Sequence, residues 1–209
     1  MIFCIGNKCS NFDWFSIKSA FKKYAKPDFT ALEIGASTYN RTVEIARYVK
    51  KLIGVEIFKE RIPDAKNEKI KYIHGDWEKL STLIPKNSID LALSSHVIEH
   101  VSDDLKAINE LYKVLKSNGV AVINTPNRER LTRRIIELFT GKKKFPHEEH
   151  IREYTEIDLI NLINKSSFKK FKIKALVLGV HAGGIYLYGK NVPQFLRQLA
   201  NYWEIHLYK

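Results

Sequence analysis

The sequence has little cysteine and no apolar run long enough to cross a bilayer. Its two cysteines, Cys4 and Cys9, lie close together near the start. Two reduced thiols of a cytosolic chain are the expectation, not a disulfide framework. The first residues, MIFCI, are apolar but carry neither a basic leader nor a small-residue cleavage site, so no signal peptide is expected. The reading is a soluble, cytoplasmic protein. Internal repeats, low-complexity tracts, an RRM signature and zinc-finger spacings are all missing, and no composition shift marks a domain boundary.

What is present fits one globular domain. The 209 residues can bury a substantial core, and 44% apolar with 28% charged residues is ordinary composition. The formal net charge of +12 is less ordinary. Such a surface attracts nucleic acid, anionic membrane or acidic substrates. The lysines are scattered, however, and only Lys142-Lys143-Lys144 forms a tight run. Solvated lysine faces account for most of the charge, which leaves an anionic partner as the residual expectation.

The chain is organised around residues 29–56. An apolar strand ends at Glu33, a tight Gly35-Ala36-Ser37 turn follows, and a helix at 41–51 sets Val43, Ala46 and Val49 along one side. A second strand at 52–57 carries Glu56. Strand, small-residue turn, helix, strand and terminal acid is the layout of a nucleotide-type cofactor site. There the turn lets backbone approach the ligand, and the acid accepts from ribose hydroxyls.

Upstream, residues 11–25 space Trp14, Phe15, Ile17, Phe21 and Tyr24 as an aromatic helix closed by Pro27-Asp28. Downstream, the pattern predicts a strand at 69–74, the turn Gly75-Asp76-Trp77-Glu78, and a near-continuous apolar strand at 89–93. A helix at 103–115 starts at Ser102-Asp103 and stops at Asn118-Gly119, before a strand at 120–124. Residues 128–150 then break the alternation with a helix at 130–139, the lysine run and Pro146-His147-Glu148-Glu149-His150. A substrate lid would sit there, outside a strand's carboxyl end. A helix at 155–163, a strand pair at 171–178 and 184–188, and a terminal helix at 193–202 complete the reading.

Glu33-x-Gly35, Glu56, Gly75-Asp76-Trp77, the segment from Ser94 to Val101, and the segment from Leu111 to Gly119 before a β-run occur in the order of a known pattern. Over residues 29–190 the sequence resembles the class I S-adenosylmethionine-dependent methyltransferases. It is most similar to small-molecule enzymes of the quinone and glycan kinds, whose post-lid stretch His150-Ile151-Arg152-Glu153-Tyr154-Thr155 fits. The resemblance implies a single-domain α/β Rossmann-like, doubly wound seven-stranded sheet, mostly parallel with an antiparallel last strand. Residues 1–28 would be a helical extension and 191–209 a helical tail packed on the sheet or on a second subunit as a homodimer.

The resemblance also implies a cofactor site of Glu33, Gly35, Ala36, Ser37, Glu56, Asp76, Trp77, Ser94 and Ser95, holding S-adenosylmethionine. Glu56 would take the ribose, Asp76 the adenine amino group, and Trp77 the ring face. Glu33 would reach the methionine amino group or serve structure alone. One departure stands out: the pattern's second and third glycines are Ser37 and Tyr39 here.

Methyl transfer from a sulfonium is an in-line displacement, so positioning supplies much of the acceleration, and a base helps when the acceptor is a hydroxyl. His96, His100 and His150 are the candidates near the reacting oxygen of a small-molecule acceptor, for which the charge leaves an anionic one as an option. His96, Glu99 and His100 also spell the zinc-protease pattern H-x-x-E-H, which needs both histidines on one helix in another fold. Related quinone methyltransferases hold a divalent ion with Glu-x-x-Glu-His at this place. With His96 in the first position, the expectation here is no metal. Two rival readings remain: a nucleic-acid methyltransferase, prompted by charge, and a non-catalytic cofactor- or partner-binding protein, prompted by the altered glycine turn.

Overall fold

The computed structural model describes residues 3–4, 12–64, 67–141, 149–182, 185–189 and 192–209. In chain order these form β1 (Phe3–Cys4), α1 (Phe12–Tyr24), β2 (Thr30–Ile34), α2 (Tyr39–Ala46), β3 (Lys51–Glu56), β4 (Ile70–His74), α3 (Leu80–Leu83) and β5 (Ile89–Ser95). Then come α4 (Asp104–Val114), β6 (Leu115–Pro126), α5 (Leu131–Thr140), α6 (Glu156–Lys165), β7 (Lys170–Leu176), β8 (Leu178–Ala182), β9 (Ile185–Gly189) and β10 (Tyr202–Tyr208).

Seven strands make the main sheet, in the order β4-β3-β2-β5-β6-β10-β7. The pairs from β4 to β6 are parallel, and β10 runs antiparallel to both neighbours. The expected mostly parallel sheet with an antiparallel last strand is therefore the architecture found. A small antiparallel sheet, β1-β9-β8, stands apart from it.

Alternation along the central strands divides the core into two layers. Ala31, Leu91, Leu93 and Val122 face α1 and α2, packing with Ile17, Phe21 and Ile45. Leu32, Ile34, Ala92 and Ile123 face the other way, onto Ile108, Leu111, Leu159 and Ile163 of α4 and α6. Both faces are covered, so these strands read as continuous apolar runs. Local chemistry fixes the helix starts: Asp103 accepts from the Lys106 amide, and Thr155 with Asp158 forms a reciprocal capping box.

Three expectations need correction. The helix expected at 41–51 spans only Tyr39–Ala46, and residues 47–50 turn toward β3. The helix expected at 193–202 is a short 3-10 segment, Gln194–Leu199, and the chain after it is β10. Its alternation is plain once both faces are seen. Trp203, Ile205 and Leu207 enter the α4/α6 layer, while Glu204 and His206 point to the α1 layer, where they pair at 2.7 Å. Buried polar partners on one face hid the strand's period. Finally, the strand expected at 171–178 is two strands, because Val177 takes a left-handed backbone with φ of 59°. β7 pairs with β10, and β8 pairs with β9. The lysine run, His147 and the Cys9 reading lie outside the described residues.

Candidate functional site

A cavity of about 460 Å³ opens at the carboxyl ends of β2, β3, β4 and β5. This lies within the range of about 300–1,000 Å³ typical of small-molecule sites. The strand order places it at a topological switch: β2 continues to β3 on one side and neighbours β5 on the other. Ligands of doubly wound sheets bind in such crevices.

The turn after β2 forms one wall. Gly35 takes φ of 82°, and its amide donates to Val55 O at 2.8 Å, while Ser37 N donates to Gly35 O at 2.9 Å. Gly35 and Ser37 line the cavity. Ala36 does not: it is fully buried behind the turn, where a Cβ on Gly54 would stand 2.8 Å from its own Cβ. Tyr39 opens α2, so the residue in place of a third glycine belongs to the helix.

Two acids project from neighbouring strand ends. Glu56 is buried on the cavity wall, and its Oε1 accepts from the Phe58 amide at 3.1 Å. Asp76 follows β4, and its Oδ1 accepts from the Glu78 amide at 2.9 Å, capping the short 3-10 turn Trp77–Lys79. Both lie on the wall with Trp77, whose indole is almost wholly buried among Leu80, Ile98 and Val101. Ser95 and His96 complete this side.

Glu33 and Ser94, expected at the site, are not on the cavity wall. Strand alternation turns Glu33 to the α2 side, near Arg41, Thr42 and Tyr72. Burial there pushes its carboxyl up to about 7, with the Thr42 hydroxyl and the Arg41 charge only partly offsetting the loss of water. Ser94 is buried one residue before Ser95, on the opposite face of β5.

The histidines come together more closely than their spacing suggested. The His100 and His150 rings lie 4.8 Å apart, edge to face. His100 Nδ1 donates to Glu149 O at 2.7 Å, and His150 Nδ1 is 3.0 Å from Glu153 Oε1. Both Nδ1 atoms thus face oxygen acceptors. Beside them Glu99 is fully buried, its Oε2 accepting from Thr125 Oγ1 at 3.0 Å. Its Oε1 lies 3.3 Å from His96 Nδ1 and lacks an aligned hydrogen bond. His96 itself has φ of 55°, and its amide donates to Asn124 O. His96 and His100 line the cavity; His150 stands behind His100.

One atom each from Glu99, His100 and His150 falls within 4.8 Å of the others, a spacing that can hold a cation. Such a cation is a proton or a divalent ion, and the hydrogen bonds on both Nδ1 atoms suit either. The H-x-x-E-H protease geometry is not formed, because only the three-residue 3-10 turn Ile98–His100 separates strand and loop here.

Sequence reading missed two groups. Ile57 and Phe58 line the cavity immediately after Glu56 and are exposed, at 53% and 45%. An apolar pair following a strand-end acid was the signal. Glu153 is buried between Arg130 and Arg133, with His150 as its third partner. That clamp joins two segments 20 residues apart, so local periodicity could not reveal it.

The cavity has the marks of a built polar site. Trp77 Nε1 and Ser95 Oγ on its wall are buried and have no hydrogen-bond partner among the described residues. Each such group costs about 1–3 kcal/mol, a cost that a polar ligand offsets. Two strand-end carboxylates, unpaired donors and an apolar Ile57-Phe58 wall suit a ligand with hydroxyls at one point and a flat ring at another.

Comparison with known proteins agrees with this geometry. Residues 32–123 match the methyltransferase domain family. The chain is similar to a probable S-adenosylmethionine-dependent methyltransferase of Mycolicibacterium smegmatis, 26% identical over 127 residues, which are 60% of this chain and 46% of the relative. The chain spans less than half the length of the first curated relatives it matches. Among solved structures, an S-adenosylmethionine-dependent methyltransferase from Thermotoga maritima superposes with a TM-score of 0.69 at 24% identity, covering 95% of this chain and 90% of that one. The YcgJ protein of Bacillus subtilis gives 0.70 at 17% identity, covering 93% and 98%. At these identities the structures speak for the fold.

Proposed function

We propose that this chain is a class I methyltransferase that transfers a methyl group from S-adenosylmethionine to a small-molecule acceptor, at oxygen; the methyltransferase-domain match over residues 32–123 and the fold support this reading. The observation that carries the reading is the convergence of Glu56 and Asp76, from adjacent strand ends, on one cavity beside the left-handed Gly35 turn.

S-adenosylmethionine brings an activated methyl group when bound, so the chain's task is placement. Glu56, fixed by the Phe58 amide, accepts from the ribose hydroxyls. Asp76, fixed by the Glu78 amide, accepts from the adenine amino group, and Ile57, Phe58 and Trp77 form the apolar surround of the ring. Gly35 and Ser37 allow backbone to approach closely where a side chain would intrude. On the acceptor side, His100 lines the cavity with His150 behind it. Glu149 O and Glu153 fix the two rings, and buried Glu99 lies beside them. The pair is suited to taking the proton of an acceptor hydroxyl.

The test has two parts. Calorimetry with S-adenosylmethionine and its demethylated product should show binding that Glu56→Ala weakens. A panel of small acceptors with labelled cofactor should then show transfer that His100→Gln and His150→Gln slow. No binding of either cofactor form would point to a degenerate site. Steeply salt-dependent affinity for RNA or DNA, with transfer to it, would favour the nucleic-acid reading.

A further inference from the structure

The edge of the main sheet away from the cofactor cavity carries cations without counter-ions. That edge is β7. Phe171, Ile173 and Ala175 pack on the α4/α6 layer, so Lys170, Lys172 and Lys174 face the α1 layer. Lys174 is neutralised by buried Glu204 at 2.7 Å. Lys170 and Lys172 are exposed, and opposite them on β10 stand Tyr208 and His206. Both rings reach α1, where Tyr24 Oη lies 2.9 Å from Tyr208 Oη and 3.1 Å from His206 Nδ1. Exposed Lys23 stands over the Tyr24 ring at 5.7 Å, and Lys170 over the Tyr208 ring at 5.6 Å. Three exposed lysines thus surround one pair of tyrosines.

No acid answers these charges. β7 has none, and the single acid of β10, Glu204, is already held by Lys174 and His206. Among the described residues Lys23, Lys170 and Lys172 pair with no carboxylate. The same corner is hollow: a cavity of about 390 Å³ lies beside Lys170 and Tyr208, with Lys169, Lys209 and Tyr112 also on its wall and no acid among its lining residues. Lys209 serves structure there, its Nζ donating to Asn87 Oδ1 and to the carbonyls of Tyr112 and Leu115.

Alternate residues of a strand stand about 6.7 Å apart, so β7 offers its cations in one row, and a linear polyanion is the matching shape. Partly exposed tyrosine rings among the lysines favour a nucleic-acid strand over an acidic peptide, because bases stack on aromatic rings and phosphates take lysine and tyrosine donors. Among the described residues, none of the exposed large apolar side chains belongs to β7 or β10, so a lipid surface would find nothing to bury there. We propose that the β7 edge, with the last turn of α1, is a docking face for single-stranded nucleic acid. Tyr208 and Lys170 stand beside the amino end of β6, opposite the carboxyl ends that hold the cofactor cavity, so the bound strand lies away from the methyl group. This goes beyond small-molecule methyl transfer and does not depend on it.

The test is fluorescence anisotropy of a labelled oligouridylate titrated with the full chain across a salt series. Affinity should fall steeply with salt. The triple variant Lys23→Ala, Lys170→Ala, Lys172→Ala should bind roughly tenfold or more weakly, with the slope of log affinity against log salt smaller by about 2. All three side chains face solvent, so its thermal midpoint should match that of the parent, and Lys172→Ala alone should reduce the slope by about 0.7. Removing equal charge from exposed sites elsewhere, in Lys50→Ala, Lys71→Ala, Lys86→Ala, should leave most of the affinity. Absence of binding overturns the proposal, as does an equal loss in the two triple variants, which would give the affinity to net charge alone. Tighter binding of a polyglutamate peptide would assign the face to acidic polypeptides and would also overturn it.

Discussion

Gly35 and Val97 leave no room for each other to grow: a Cβ on Gly35 would stand 2.4 Å from Val97 Cγ2. The two residues follow β2 and β5, so their contact sets the width of the crevice between those strands. Gly35→Ala meets both this clash and a left-handed backbone. It should lose about 1–3 kcal/mol from overpacking and roughly 1 kcal/mol or more from the backbone, read as a lower denaturant midpoint. Adding Val97→Ala should restore the first part and leave the second. Full rescue would mean that φ at Gly35 costs little.

Glu56 is the sharper probe of the cofactor. Its replacement by Ala removes a charged acceptor, worth about 1.5–3 kcal/mol, so S-adenosylmethionine should bind roughly 10- to 100-fold more weakly. Calorimetry measures this directly. An unchanged affinity would remove Glu56 from the site.

Glu33 makes stability depend on pH. Its carboxyl titrates near 4.5 in the unfolded chain and near 7 when folded, because burial disfavours the charge. The folded state therefore holds the proton more tightly, and the stabilisation is complete below about 4.5 and lost as pH rises through about 7. The shift corresponds to something on the order of 3 kcal/mol. Thermal midpoints of the ligand-free protein should fall across that window, and Glu33→Gln should flatten the fall.

The cluster of Glu99, His100 and His150 separates a proton from a metal. With the imidazoles handling an acceptor's proton, activity should survive a chelator, and His150→Gln should lower kcat about 100-fold or more with little change in cofactor affinity. Loss of activity in chelator, restored by zinc or manganese, would give the cluster to a divalent ion.

Glu153 is the structural counterpart. Burial alone would raise its carboxyl, but Arg130, His150 and Arg133 together hold it below the ordinary carboxylate range. Glu153→Ala leaves Arg130 without its carboxylate and Arg133 with Glu137 as its remaining one, and should cost about 3 kcal/mol, visible as a lower melting temperature. Glu153→Gln, which keeps the acceptor oxygen, should cost less.

Much of the fold was legible because β2, β3 and β5 are covered on both sides and announce themselves as apolar runs. Glu56 and Asp76 were legible because each stands at a strand's end. What stayed hidden depended on distant partners. Glu204 and His206 look like solvent-facing polar residues until Tyr24 and Lys174 are placed beside them. Glu33 looks like a site acid, yet strand alternation sends it to the other layer. The meeting of His100 with His150 depends on a return of the chain 50 residues later, which no local pattern encodes.

The position of β10 bears on how the molecule is made. Among the described elements it comes after β6 and β7 in sequence yet lies between them, and its seven residues pair with both. During synthesis the β6 edge therefore waits open, with Val122 and Ile123 already arranged and no partner beside them. Residues 202–208 close it when they emerge. A ribosome stalled before them would release a sheet with a sticky flank, ready to recruit a neighbour's strand.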